Sequence, residues 1–173
     1  MNEVIKTILE RRSVRKFSDK PIEEEKLKLI LDAAMHAPSG QCRKTWRFTV
    51  VTNQDMIKKL EDAAAKDIPY EGYTLHHPAA FVIPTNLRDN PFGKEDNSIA
   101  IMNMMIAAQS LGIGSVWINQ FKDRSDMPNI REVFNELGVP EDHIAYGTVI
   151  FGYPADDFVA APYREKGEIV YIK

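Results

Sequence analysis

Several things are scarce in this chain, and each scarcity narrows what it can be. Of its 173 residues a single one is cysteine, Cys42, which rules out an internal disulfide framework and fits a reducing compartment. There is no basic excess: 22 Lys and Arg stand against 25 Asp and Glu, a net charge of −3, so nucleic acid is not an expected partner. No apolar run approaches the ~20 residues that span a bilayer, so no membrane partner is expected either. The opening MNEVIKTILERR has no long apolar core of the secretory kind, and the expectation is a cytoplasmic protein. Metal-ligand spacing of the HExxH type is missing, and the adjacent His76 and His77 point in different directions, so no metal is expected. His36 and His143 read as packing or surface residues, and nothing ties a histidine to Cys42, which reads as a small buried hydrophobe. GIG at Gly112–Gly114 falls short of GxGxxG and precedes a strand instead of following one, so a Rossmann-type dinucleotide site fails its own context.

What is present is an ordinary globular composition, 44% hydrophobic and 27% charged, long enough for one domain over residues 1–173. Val4, Ile5, Ile8 and Leu9 share one helical face behind Asn2, a natural N-cap. Pro21 opens a second helix, with Leu27, Ile30, Leu31, Ala34 and Met35 in a core-facing stripe, and APSG at Ala37–Gly40 ends it. Trp46–Thr52 and Ala79–Thr85 read as strands separated by a helix over about Gln54–Lys66 and a loop from Asp67 to Pro78. A second polar loop covers Asn86–Asn97. Ser98–Gly112 is apolar on nearly all sides, the mark of a helix buried in a domain centre or between subunits. A strand at Gly114–Asn119, a helix through Ile130 and Leu137 closed by Gly138, a strand through HIAYGTVIFGYP and a short apolar strand EIVYI complete the chain. Helices flanking four or five short strands make a layered α+β domain.

The chemistry concentrates in RRSVRKF, residues 11–17. Arg11 and Arg15 lie one helical turn apart with Ser13 between them, where one helix ends and another has yet to begin. Three readings fit such a cluster: a solvated helix end, a basic arm, or a phosphate cradle in which planar guanidinium donors, a hydroxyl and loop N–H groups share one anion. Arg164 and Lys166 repeat the spaced basic pattern near the C-terminus.

Taken in order, RRSVRKF, APSGQCRKTWRFTVV, AAQSLGIGSVWIN, FGYP and YREKGEIV resemble the nitroreductase family of FMN-dependent oxidoreductases over nearly the whole chain. The resemblance implies a single FMN-binding domain whose central, mostly antiparallel sheet is wrapped by helices. It also implies an intertwined homodimer with FMN at the subunit interface, the C-terminal segment adding a strand to the partner's sheet. Carried over by motif, Arg11, Arg12 and Ser13 would bind the phosphate and ribityl chain, helped by Arg164 and Lys166, and Arg15 would sit by the pyrimidine edge. From the other subunit, Pro38, Ser39 and Gly40 would line the flavin, with Gln41 toward the substrate side. Trp117, Ile118, Asn119 and Gln120 form the stretch that supplies a backbone N–H to flavin N5, with Asn119 or Gln120 as the donor. The chain departs from the family where Cys42 replaces a common Asn and Thr45 a common Pro, and the Asp67–Pro78 loop offers no match for the family's mid-chain polar ligand. The implied reaction passes a hydride from NADH or NADPH through flavin N5 to a nitroaromatic, a quinone or another flavin, by ping-pong kinetics and with no acid–base side chain. The alternatives are a flavin-binding or sensing protein without turnover, or a reductive dehalogenase or flavin-modifying member of the same superfamily, against which the short loops count.

Overall fold

The computed structural model describes residues 1–68, 72–162 and 167–173. Among these residues the α-helices are α1 (Glu3–Glu10), α2 (Glu24–Met35), α3 (Gln54–Asp67), α4 (Gly93–Ser110) and α5 (Pro128–Glu136). Its strands are β1 (Arg47–Val51), β2 (Ala80–Leu87), β3 (Gly114–Ile118), β4 (His143–Ala145) and β5 (Thr148–Gly152). The sheet runs in the order β1-β2-β5-β3, with β4 also paired to β2, and all of these pairs are antiparallel. Among the described residues, no helix is long and apolar enough to cross a membrane.

Period-two alternation in the central strands builds a core on each face of this sheet. Phe81 and Ile83 of β2 and Ile150 of β5 pack with Leu60 and Ala64 of α3 and Phe134 of α5. Ala80 and Val82, with Val149 and Phe151, face the other way onto Ile30 and Ala34 of α2 and Ile101 and Met104 of α4. The expected α+β layers are therefore present, in the order helix, sheet, helix.

Four expectations are corrected. The second helix starts at Glu24, since Pro21 and Ile22 are spent on the approach and on a cavity wall. Much of the Asn86–Asn97 loop is structured: β2 continues to Leu87 and α4 begins at Gly93. The strand expected through HIAYGTVIFGYP divides into β4 and β5. On β2, Val82 pairs with Val149 and Thr85 with Ala145, so two intervening residues on β2 oppose three on the other strand, a bulge beside Pro84, which has no N–H to give. Finally, EIVYI forms no strand within the chain; Ile169, Val170, Tyr171 and Ile172 are exposed.

The stripe on α1 exists, with Asn2 Oδ1 accepting from Ile5 N–H at 3.0 Å, but the chain leaves it uncovered. Val4, Ile5, Ile8 and Leu9 are 40–62% exposed, and Ile99 and Met102 of α4 are exposed as well. Met105, by contrast, is buried inside the chain's own core.

Candidate functional site

Three groups of residues were singled out from the sequence, and the fold places each on a different support. The first, Arg11–Arg15, follows α1 and is pinned to the outer edge of β3. Val14 N–H donates to the Ser115 carbonyl at 3.0 Å, and Ser13 and Ser115 form a parallel bridge. Val14 itself is buried against Gly114, where an added Cβ would lie 2.7 Å from the valine side chain. The segment is thus held by its one apolar residue, while Arg11, Arg12 and Ser13 are half-buried and Arg15 is exposed.

Arg11, Ser13 and Arg15 line a cavity of about 500 Å³ together with Ile8, Leu9 and Pro162. Arg12 also borders it, but its guanidinium donates to the carbonyls of Leu9 (2.7 Å) and Arg11 (2.8 Å). Those are orphan carbonyls at the end of α1, so Arg12 acts in the first place as a helix cap. Arg11 differs. Its Nη1 is buried and has no hydrogen-bond partner among the described residues. Burial, reinforced by the neighbouring Arg12 charge, pulls the Arg11 pKa down from its ordinary value. Arg164 and Lys166 lie outside the described residues.

The second group, Pro38–Gly40, lines a separate apolar cavity of about 260 Å³ with Phe92, Glu95 and Ile99. Sequence reasoning missed what holds it. Gly40 N–H donates to Asp96 Oδ1 at 2.7 Å, and Asn90 Nδ2 donates to Asp96 Oδ2 at 3.3 Å and to Thr45 Oγ1 at 2.9 Å. Thr45 in turn donates to Asn86 Oδ1 at 2.6 Å, and Asn86, Asn90 and Asp96 are all buried. Thr45 is therefore a working member of a polar network in place of a proline. Gly40 must be glycine, because a Cβ there would lie 2.2 Å from Phe92 Cγ. Gln41 is exposed, in the left-handed region with φ 55°, and accepts from Arg43. Cys42 is exposed and not a buried hydrophobe.

The third group ends β3. Trp117 packs on the bulge, where a Cβ on Gly147 would lie 2.3 Å from the indole, and its Nε1 donates to Asn119 Oδ1 at 3.3 Å. Ile118 is buried, so its side chain belongs to the core and its backbone alone can serve a ligand. Asn119 is exposed and Gln120 half-buried.

The Asp67–Pro78 loop also contributes. Glu61 of α3, buried, accepts from Leu75 N–H at 2.5 Å and Thr74 Oγ1 at 3.0 Å, and this clamp delivers His76 and His77, both left-handed at φ 62° and 50°. Burial, followed by the charge of Arg15, holds the His76 pKa below its ordinary value against the opposing pull of Glu61. A half-buried imidazole thus stands within electrostatic reach of Arg15, which no spacing rule could reveal.

The nitroreductase family model matches residues 8–92 and 74–153, which include all three groups. The chain belongs to the nitroreductase family. Among solved nitroreductases, one of Bacteroides fragilis with bound FMN is 37% identical, with a TM-score of 0.93 and both chains covered in full. Another from Desulfitobacterium hafniense, also with bound FMN, is 26% identical, with a TM-score of 0.87 and again full coverage of both chains. The FMN reductase [NAD(P)H] of Bacillus subtilis is 29% identical over 94% of this chain and 70% of its own length. The nitroreductase fold accounts for the antiparallel sheet and the flanking helices together.

Proposed function

We propose that this chain is an FMN-dependent NAD(P)H oxidoreductase that works as a homodimer, each copy a single FMN-binding domain over residues 1–173. The observation that carries the site assignment is the buried Nη1 of Arg11, without a hydrogen-bond partner among the described residues and set in a cavity with Ser13 and Arg15. A buried cationic donor left without an acceptor is costly, and a phosphate is the acceptor whose charge and oxygen count suit this donor set. The residues present fit FMN.

When bound, FMN supplies the redox chemistry, taking a hydride from NADH or NADPH at N5 and passing the electron pair to an acceptor. Everything else falls to the chain. Arg11 and Ser13 hold the phosphate, with Arg164 and Lys166 assigned to the same end by motif and Arg12 fixing the helix end from which Arg11 projects. Arg15 places a fixed cation at the pyrimidine edge, where negative charge accumulates on reduction. Backbone N–H groups after Ile118 face the ring, and Pro38–Gly40 of the second copy, backed by Phe92 and Asp96, closes it from the other side and excludes water. Support for two copies comes from the large apolar side chains exposed on α1, at Ile99 and Met102 of α4, and at residues 169–172. One site serving nicotinamide and acceptor in turn gives ping-pong kinetics, the acceptor being a nitroaromatic, a quinone or free flavin.

The deciding experiment is the visible spectrum of the purified protein followed by stopped-flow mixing with NADH and NADPH. Bound FMN that bleaches and is reoxidised by menadione or nitrofurazone, with parallel double-reciprocal plots, bears the proposal out. Bound FMN that neither nucleotide bleaches assigns the chain to flavin binding or sensing.

A further inference from the structure

The turn that begins at Pro38–Gly40 continues into Arg43 and Lys44, two exposed cations in a chain whose net charge is −3. Neither forms an ion pair among the described residues, Glu95 of the adjoining cavity included. The turn is built to hold them in place. Gln41, Cys42 and Lys44 all take left-handed backbone, at φ 55°, 56° and 49°, which residues other than glycine seldom adopt. Ser39 locks that path, its carbonyl accepting from Cys42 N–H at 3.0 Å and its hydroxyl from Lys44 N–H at 3.1 Å. Outliers of this kind persist where the surroundings impose them, and they gather at ligand contacts.

Arg43 is oriented as well as exposed. Its Nε and Nη2 donate to Gln41 Oε1 at 3.2 and 2.9 Å, and its guanidinium lies 5.7 Å from the centre of the Phe92 ring against which Gly40 packs. An amide oxygen and a ring face steer a guanidinium without cancelling its charge, as a carboxylate would. Nη1 has no hydrogen-bond partner among the described residues. Part of the fork and the whole of the charge are therefore available to an anion.

Resting on the FMN site and the second copy proposed above, we infer that Arg43, with Lys44 beside it, binds the diphosphate of the reduced nicotinamide dinucleotide. In NADH and NADPH the reacting ring is uncharged, and one ribose separates it from the diphosphate. A ring stacked on flavin beside Gly40 and Gln41 sends that diphosphate out along the turn, where Arg43 stands three residues from Gly40. A diphosphate suits the planar fork of a guanidinium, and a flexible lysine adds a point charge. Both residues are exposed, so salt screens their pull, and their part is to hold the dinucleotide while its ring meets the flavin. A nitroaromatic or a quinone carries no such group, so the pair favours the hydride donor at a site that donor and acceptor share.

The test uses FMN-loaded holoprotein as wild type, Arg43→Gln/Lys44→Gln and Arg43→Lys. The probes are the tetrahydro forms of NADH, NADPH and nicotinamide riboside, which cannot give up a hydride, and their affinities are read from the perturbed flavin spectrum. An exposed charge contact is worth up to about fivefold, so the double variant should bind both dinucleotides about 10- to 25-fold more weakly at low salt. The riboside, which has no phosphate, should bind wild type and variant alike. Arg43→Lys keeps the charge, loses the fork and should fall between. Raising the salt to about 0.5 M should close most of the gap between wild type and double variant. A loss confined to the NADPH form would move the pair to the 2′-phosphate and overturn the diphosphate assignment. An equal loss for the riboside, or no loss for any probe, would overturn it as well. The reading on which the inference rests fails separately, and takes the inference with it, if wild type carries no FMN or if neither NADH nor NADPH bleaches its flavin.

Discussion

Replacing Arg11 by methionine should have opposite effects on the empty and the flavin-loaded protein. Methionine keeps the apolar stem that packs against the end of α1 and deletes the guanidinium. In the apoprotein, a buried donor with no partner among the described residues is relieved, and an unsatisfied group of this kind costs ~1–3 kcal/mol. A gain of ~1 kcal/mol raises the midpoint of a chain this size by ~2–4 °C. In the loaded protein a charge-assisted bond to phosphate, worth ~1.5–3 kcal/mol, is lost, which weakens FMN by about 10- to 150-fold. At a flavin concentration 100 times the wild-type Kd, bound ligand stabilises wild type by ~2.7 kcal/mol; a 100-fold loss of affinity leaves ~0.4 kcal/mol. Riboflavin, which has no phosphate, should bind both proteins alike. Thermal melts of apoprotein with and without each flavin, paired with fluorescence titrations, read all of these quantities. Equal loss of FMN and riboflavin affinity, or an apoprotein that melts lower than wild type, would return Arg11 to a structural role and remove the phosphate cradle.

Three other outcomes are expected. Gly40→Ala drives a Cβ to within 2.2 Å of the Phe92 ring, so it should lower the melting midpoint by several degrees and weaken FMN, and Gly40→Ala/Phe92→Ala should recover much of both; no recovery would mean that the ring is not the obstacle. Burial pushes the Glu61 carboxyl up, but hydrogen bonds from Leu75 N–H, Lys58 and Thr74 outweigh it and leave the pKa below 4.5. The folded state then favours the carboxylate, so Glu61 contributes fully above pH 4.5 and progressively less as pH falls below it; urea melts of Glu61→Gln should show a deficit at pH 7 that shrinks toward acid, and a constant deficit would contradict the assignment. Leu9→Asp, on the exposed face of α1, should yield a folded monomer that has lost FMN by size exclusion and absorbance, whereas Met105→Asp should unfold the chain from within; a flavin-loaded Leu9→Asp dimer would place the interface elsewhere.

How much of this was legible in the sequence depends on distance along the chain. Helices α3 and α5 and the strands β1 and β3 follow from local period and caps, because the residues that define each element lie within it. The positions of Arg11, Ser13 and Gly40 were legible as motif. What holds them was not: Asp96 is 56 residues from Gly40, and Ser115, whose carbonyl pins the Arg11–Arg15 segment through Val14 N–H, lies on a strand far along the chain. The bulge between β4 and β5 escaped for a related reason. Tyr146 and Gly147 read smoothly as strand, and the break is imposed by Pro84 on the neighbouring strand. The α1 stripe was plain as an amphipathic pattern, but a pattern states that a face needs covering and leaves open by what.

The bulge beside Pro84 also divides the sheet energetically. Without an N–H at that position, the ladder from β2 is interrupted between its β5 half and its β4 half. Strand β4 is tied on the far side to the 121–127 turn, Asp123 N–H donating to Ala145 O and Ala145 N–H to Ser125 Oγ. The turn and β4 therefore form a unit able to open by itself, with amide protons that exchange at lower free energy than those of β5. Thr148 lies on the slow side of that boundary and Gln120 at its edge. The end of β3, paired to β5 through Ile118 and Thr148, belongs to the part of the sheet expected to open last, and the 121–127 turn beside it to the part expected to open first.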